Sequence, residues 1–198
     1  MILEDPSSLR IRVGARKEII SRLMKNLPWP KGTHFLASGT AIAVERVMSR
    51  ELDMAICGEK PDSTEVVAKP LFKDDPVFCM QKKLFHKMGE KINRGLLIGA
   101  YSLWYKENPP FIKKFCGRHN VEIERLKIHA IVEDWNLLIE LVEQGAGWSV
   151  VPSSIEMDKN KLALKYLPKS DFPSQQFYLV THRDLIRIPI IREFWDAL

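Results

Sequence analysis

The chain has 198 residues, enough to bury a core in one large domain or two small lobes. Hydrophobic residues make up 45% and charged residues 28%, which excludes a disordered, collagen-like or coiled-coil chain. The net charge of +5 permits small anions or nucleic acid as partners, but the longest basic clusters are the pairs Lys82-Lys83 and Lys113-Lys114, and the bland reading is a mildly positive soluble surface.

The elements alternate. Leu9 to Gly14 alternates apolar and polar residues as a strand does. Arg16 to Leu27 repeats apolar residues at Ile20, Leu23, Met24 and Leu27, one helical face, and Pro28-Trp29-Pro30 ends it. Thr33 to Ala37 reads as a second strand. Thr40 to Arg50 reads as a second helix with Ala41, Val44 and Met48 on one side, and Asp53 to Cys57 as a third strand. A β-α-β-α-β order implies parallel strands joined by helices.

Val66 to Phe72 and Val77 to Gln81 are then two extended runs with no helix between them, separated by the turn-forming Lys73-Asp74-Asp75-Pro76. The alternation restarts with a strand at Leu96 to Ala100. A helix follows over Pro109 to His119, with Phe111, Ile112, Phe115 and Cys116 on its apolar face, and then a strand over Leu126 to Val132. Asp134 to Glu143 is the clearest helix. Trp135, Leu138, Ile139 and Val142 fall on one face, Asp134 is a natural N-cap and Gly145 a natural residue to follow the end. Trp148 to Val151, Leu162 to Leu167 and Gln176 to Thr181 read as strands, and Ile188 to Leu198 as a final helix with Ile191, Phe194, Trp195 and Leu198 on one face. The predicted fold is α/β and two-lobed, each lobe a mostly parallel sheet flanked by helices. Residues 1–80 with 175–198 form one lobe and residues 81–174 the other, with the runs 77–81 and 176–181 crossing between them.

In open α/β sheets ligands sit beyond the carboxyl ends of the strands. This rule selects Arg16, then Ser38, Gly39 and Thr40, then Gly58 and Glu59 in the first lobe, and Tyr101, Ser102 and Trp135 in the second. Ser38-Gly39-Thr40 precedes a helix whose first N–H groups suit a carboxylate or phosphate, and it also reads as an ordinary cap with a glycine in the turn. Arg16 either pairs a ligand carboxylate or is a solvated residue of a first helical turn. Trp135 fits the core stripe of its helix as well as a pocket wall, and Tyr101 and Ser102 are loop residues after the expected strand.

Catalytic chemistry is not indicated. The chain has no GxSxG, P-loop, HExxH or GxGxxG, and its five histidines show no metal spacing. No catalytic residues, metal ligands or cofactors are assigned. Cys57, Cys79 and Cys116 form no CxxC and read as buried free thiols of a reducing cytoplasm, with a redox-sensing pair as the other reading. Met1 to Ser8 carries acids and a proline instead of the apolar stretch of a secretory signal, and no apolar run approaches the roughly 18 to 20 residues of a membrane span.

From about Leu9 to Leu198 the chain resembles the effector-binding domain of LysR-type transcriptional regulators. The matching pieces are LRIRVGA, SRELDMAICGE, PLFKDDPVFCMQKK and LIELVEQGAGWSVVPSS. Val47 to Ile56 matches a family segment "l-x-x-g-x-l-D-l-a-i", with Arg50 and Glu51 where the glycine usually falls. Leu141 to Pro152 matches "l-V-x-x-G-x-G-x-x-x-l-P", and Pro189 to Phe194 a terminal "P-x-x-x-x-F". The resemblance implies a periplasmic-binding-protein-like fold of the second class and a cleft between lobes that closes on a small effector. It also implies a homodimer or tetramer, and DNA contact only through a winged helix-turn-helix that is not seen in this chain. Carried over by position, the effector contacts fall on Arg16, Ser38, Thr40, Tyr101, Ser102 and Trp135. The expected function is that of a cytoplasmic, non-enzymatic sensor of a small molecule, the strand ends suggesting a carboxylate. The alternatives are a transport-type solute-binding protein of the same fold and an enzyme built on a related one.

Overall fold

The structure, a computed structural model, describes residues 10–26, 29, 31–106, 110–155 and 157–197. The chain divides into two compact units, Met1–Asp74 with Gln175–Leu198, and Asp75–Ser174.

The first unit carries β1 (Arg12–Ala15), α1 (Lys17–Asn26), β2 (His34–Ala37), α2 (Thr40–Met48), β3 (Met54–Cys57), β4 (Val66–Asp74), β10 (Gln175–His182) and α7 (Pro189–Ala197). Its sheet order is β2-β1-β3-β10-β4. The first three strands are parallel, and β10 runs antiparallel to both β3 and β4. All four residues of β3 are buried because helices cover both faces. Met54 and Ile56 pack with Ile19 and Leu23 of α1 and with Ile191 and Phe194 of α7. Ala55 and Cys57 point the other way, onto Ala43 and Val47 of α2.

The second unit carries β5 (Pro76–Gln81), α3 (Lys82–Lys87), α4 (Arg94–Gly99), β6 (Tyr101–Tyr105), α5 (Pro110–Arg118), β7 (Lys127–Val132), α6 (Trp135–Glu143), β8 (Trp148–Pro152) and β9 (Leu162–Tyr166). The order β7-β6-β8-β5-β9 repeats the plan of the first sheet. β6 is parallel to β7 and β8, and β5 is antiparallel to β8 and β9. Phe78, Trp148 and Phe115 form an aromatic core on one face. Cys79, Leu103 and Val151 meet Leu138, Ile139 and Val142 of α6 on the other.

Several expectations are corrected. Each sheet is mostly parallel, as expected, but carries one reversed inner strand, β10 in the first and β5 in the second, which runs antiparallel to both of its neighbours while the other four strands share one direction. The expected strand at Leu96 to Ala100 is the helix α4. A short apolar run does not separate strand from helix, and Asn93 decides the matter by accepting a hydrogen bond from the Leu96 N–H at 2.9 Å, a helical cap. The strand is β6, so Tyr101 and Ser102 stand at its amino end and are not loop residues beyond its carboxyl end. Lys73 to Pro76 is not a turn. β4 continues to Asp74, Asp75 alone links it to β5, and β5 pairs entirely within the second sheet. The boundary therefore falls at Asp74/Asp75 and not at residue 80. For the same reason 77–81 and 176–181 do not cross between units, each run lying inside one sheet.

The faces of the first two helices also differ from the periodic reading. In α1 the buried residues are Ile19 and Leu23, while Met24 is 61% exposed. In α2 they are Ala43 and Val47. Leu9, Leu27, Pro28, Pro30, Pro109 and Leu198 lie outside the described residues.

Candidate functional site

A cavity of about 830 Å³ opens in the first unit where β1 and β3 end and α2 begins. Arg16 follows β1, Gly58 and Glu59 follow β3, and Thr40 is the first residue of α2. Lys60 to Ser63 extend one wall, and Gln175 and Phe177 at the start of β10 supply another. The Gln175 side-chain amide donates to the carbonyl of Gly58, joining the two walls.

The apolar side of the cavity is the outer face of α2. Ala41, Val44 and Met48 line it. This is the stripe that helical spacing predicts, but it faces the cavity and not the core. α2 is apolar on two sides, and its core side is Ala43 and Val47. The guanidinium of Arg16 lies 5.7 Å above the Phe177 ring, with its Nε 3.2 Å from Glu18 Oε1. Arg16 is thereby held at the cavity edge by a ring and an anion.

The start of α2 is open. Gly39 is its cap residue in extended backbone, with no side-chain cap, and a Cβ built on Gly39 would meet nothing within 4 Å. The first-turn N–H groups of such a helix attract negative charge, and no acidic residue occupies that turn. Ser38 and Gly39 do not line the cavity. Ser38 N–H donates to the Ala15 carbonyl at 2.9 Å, and its Oγ, 3.5 Å from where a Gly14 Cβ would sit, is buried with no hydrogen-bond partner among the described residues. Arg16 and Lys60 are balanced by Glu59 and Asp62, so the expected basic character of the strand ends does not extend to the whole cavity.

Of the candidate residues, Arg16 and Thr40 are brought together here, with Ser38 and Gly39 beneath and beside them. Tyr101, Ser102 and Trp135 belong to the second unit. Ser102 is fully buried, its hydroxyl accepting from Trp104 Nε1 at 2.9 Å and donating to the Lys127 carbonyl at 3.3 Å, which is a structural bridge. Tyr101 is exposed and meets His129 edge-on at 5.5 Å. Trp135 is buried in the α6 core and stacks on Tyr105 at 3.9 Å, and its indole N–H has no partner among the described residues. In this unit the carboxyl end of β6 is Tyr105, so Tyr105 and Lys106, not Tyr101 and Ser102, hold the place beside the start of α6. Gly58 and Glu59, which the strand-end rule selects, line the first-unit cavity. The rule misses Gln175 and Phe177, whose antiparallel strand arrives from the far end of the chain.

Among the described residues no group of His, Cys, Asp and Glu could hold a metal ion. The three cysteines are free and buried, and burial pushes the thiols up, Cys57 and Cys116 to about 11 and Cys79 to about 12. No described helix is long and apolar enough to cross a membrane.

Comparisons with known proteins agree on the fold. The chain is similar to the regulatory domain of CrgA, a LysR-type transcriptional regulator from Neisseria meningitidis, with a TM-score of 0.72 and 18% identity over 95% of this chain and 96% of that one. It matches a full-length OxyR variant from Pseudomonas aeruginosa with a TM-score of 0.72 and 20% identity, over 98% of this chain and 70% of that one. It matches the effector-binding domain of QuiR in complex with shikimate with a TM-score of 0.65 and 16% identity, over 96% and 94% of the two chains. No curated protein matches it in sequence. The family model described as the LysR substrate binding domain covers residues 34–198, from β2 through α7, and the chain belongs to that family.

Proposed function

We propose that the chain is the effector-sensing domain of a LysR-type transcriptional regulator and that a small organic carboxylate binds in the first-unit cavity. The observation that carries this reading is the convergence of Arg16, the uncapped start of α2 at Thr40 and the apolar face Ala41-Val44-Met48 on one space. An anionic group placed there meets a guanidinium and free backbone donors, while a hydrocarbon body covers the α2 face and Phe177. Thr40 stands at the anion end, with the uncapped Gly39 and Ser38 directly before it.

The domain works without catalysis or cofactor, in the cytoplasm, as part of a homodimer or tetramer. It reaches DNA through a separate DNA-binding domain. Effector binding biases one arrangement of the sensor over another only by its difference in affinity for the two.

A thermal-shift screen tests the proposal. Small aromatic and alicyclic carboxylates should raise the melting temperature in proportion to the logarithm of their concentration, and the matching amides should not. Equal shifts from acids and amides would remove the anion end of the site, and a signal peptide upstream in the reading frame would favour a transport-type solute-binding protein.

A further inference from the structure

β9 is the last strand of the second sheet, and its backbone pattern defines what its free edge offers. The Lys82 N–H donates to the Lys161 carbonyl at 2.8 Å, and the Leu167 N–H to the Pro76 carbonyl at 3.2 Å. The antiparallel register pairs Ala163 with Met80 and Lys165 with Phe78. Hydrogen-bonded pairs alternate along such a ladder, so residues 161, 163, 165 and 167 direct their backbone groups at β5 and its continuation. Leu164 and Tyr166 direct theirs away from the sheet, as does the Leu162 carbonyl, while the Leu162 N–H is taken by the Asp158 carbonyl. The edge thus presents a row of backbone donors and acceptors two residues apart.

That edge borders a cavity of about 740 Å³ between β9 and α3. Phe85 and Ala163 give it an apolar floor, and Tyr166, 64% exposed, stands at one end. Its rim is basic. Lys82 and Lys83 come from α3, Lys159 from the loop before β9 and Lys165 from β9 itself. None of the four has an acidic partner among the described residues. By contrast Lys161 is held by Glu143 and Asp158, and His86 by Glu90. A lysine on an edge strand commonly guards it against unwanted pairing. Here three of the four lysines lie on other elements around the groove, where they surround an added strand and do not block it.

We infer that this edge is a docking site for an extended acidic peptide segment of a partner protein, which adds as a sixth strand beside β9 with its acidic side chains among the four lysines. Backbone bonds to Leu164 and Tyr166 set the register, and the charge selects the partner. The site is separate from the first-unit cavity, and its failure leaves that reading untouched.

The test uses a fluorescein-labelled peptide alternating acidic residues with valine, followed by fluorescence anisotropy against the whole chain at low salt. Saturable binding is expected. It should weaken by about tenfold or more in Lys82→Glu/Lys83→Glu, and in Tyr166→Pro, which removes an outward N–H and keeps the ladder to β5. A peptide of the same charge, N-methylated at alternate amides, should lose binding by a similar factor, so the result does not hang on the folding of any variant. Equal binding of the N-methylated peptide would reduce the site to charge attraction and overturn the proposal. So would absence of saturable binding, or self-association of the chain through β9, seen as a sedimentation shift that Tyr166→Pro abolishes.

Discussion

Arg12, the first residue of β1, and Asp53, the residue before β3, lock these two parallel strands to each other. The guanidinium of Arg12 meets both carboxylate oxygens of Asp53, at 2.9 and 3.1 Å. Its backbone N–H donates to Asp53 Oδ2 at 2.7 Å, and the Asp53 N–H returns a bond to the Arg12 carbonyl at 2.9 Å. Thr181 Oγ1 donates to the Asp53 carbonyl at 2.7 Å, bringing β10 into the same knot. The bond to Asp53 holds the Arg12 guanidinium above its ordinary pKa, outweighing its partial burial. Asp53 is the acid of the family segment that ends at Ile56, and its role here is structural.

Asp53→Ala should lower stability by about 2–3 kcal/mol, because it strands a backbone N–H and removes a forked charged pair. Arg12→Ala should cost about 1 kcal/mol, since its side chain is 42% exposed and water screens the loss. Urea unfolding of both variants measures the difference, and equal losses would contradict the backbone part of the knot.

The two glycines of Gln144-Gly145-Ala146-Gly147 do different work. Gly145 has φ +84 just after α6, a left-handed position that glycine takes without strain. A Cβ on Gly147 would lie 2.8 Å from the backbone carbonyl carbon of Tyr101, where β6 and β8 start side by side. Gly145→Ala should cost about 1–2 kcal/mol. Gly147→Ala should cost more, about 2–4 kcal/mol, because the obstacle is backbone. Chemical denaturation of the pair should rank them in that order.

The thiols should be inert in the native protein. With Cys57 and Cys116 raised to about 11 and Cys79 to about 12 from the ordinary 9.0, almost no thiolate exists near neutrality. Labelling by a thiol-specific disulfide reagent should proceed only as fast as the chain unfolds. Raised pKa values favour the neutral folded form, so this contribution is complete below about pH 9 and is lost as pH rises through 11 and 12. Rapid labelling of any cysteine at neutral pH would show that its burial is not maintained.

His119 behaves in the opposite sense. Burial lowers its pKa below the ordinary 6.5, and the adjacent Arg118 adds to the effect. Its ring packs edge-on against Phe115 at 4.9 Å. The neutral imidazole is the form the fold prefers, so its contribution is complete above pH 6.5 and falls as pH drops from 6.5 to the lowered folded value. Comparing stability at about pH 7.5 and about pH 5, the wild type should lose more than His119→Gln. An identical slope would contradict this assignment.

Much of the fold was legible because strands and helices announce themselves by period. Trp135, Leu138, Ile139 and Val142 appear on one face of α6 as spaced, with Asp134 capping the Leu137 N–H at 3.0 Å. What was hidden was hidden for physical reasons. Leu96 and Leu97 are buried, and a short buried run carries no phase, so only the cap at Asn93 reveals α4. Ala41, Val44 and Met48 satisfy helical spacing equally well as core or as cavity wall, and only Ala43 and Val47 beneath β3 show which they are. The strand-end rule points to Arg16 and Thr40, which line the cavity, but at Tyr101 and Ser102 it inherits the misplaced strand before them. Gln175 and Phe177 reach the cavity through a pairing of β10 with β3 that no local pattern encodes.

The central claim is that Arg16, Thr40 and Val44 hold a small carboxylate. Isothermal titration of the best ligand from the thermal-shift screen, into wild type and into Arg16→Ala, Thr40→Val and Val44→Asp, tests it most directly. Affinity should fall by about ten- to a hundredfold in Arg16→Ala, and in Val44→Asp by at least about tenfold, with a smaller loss in Thr40→Val. Unchanged affinity in folded Arg16→Ala and Val44→Asp would show that the effector binds elsewhere.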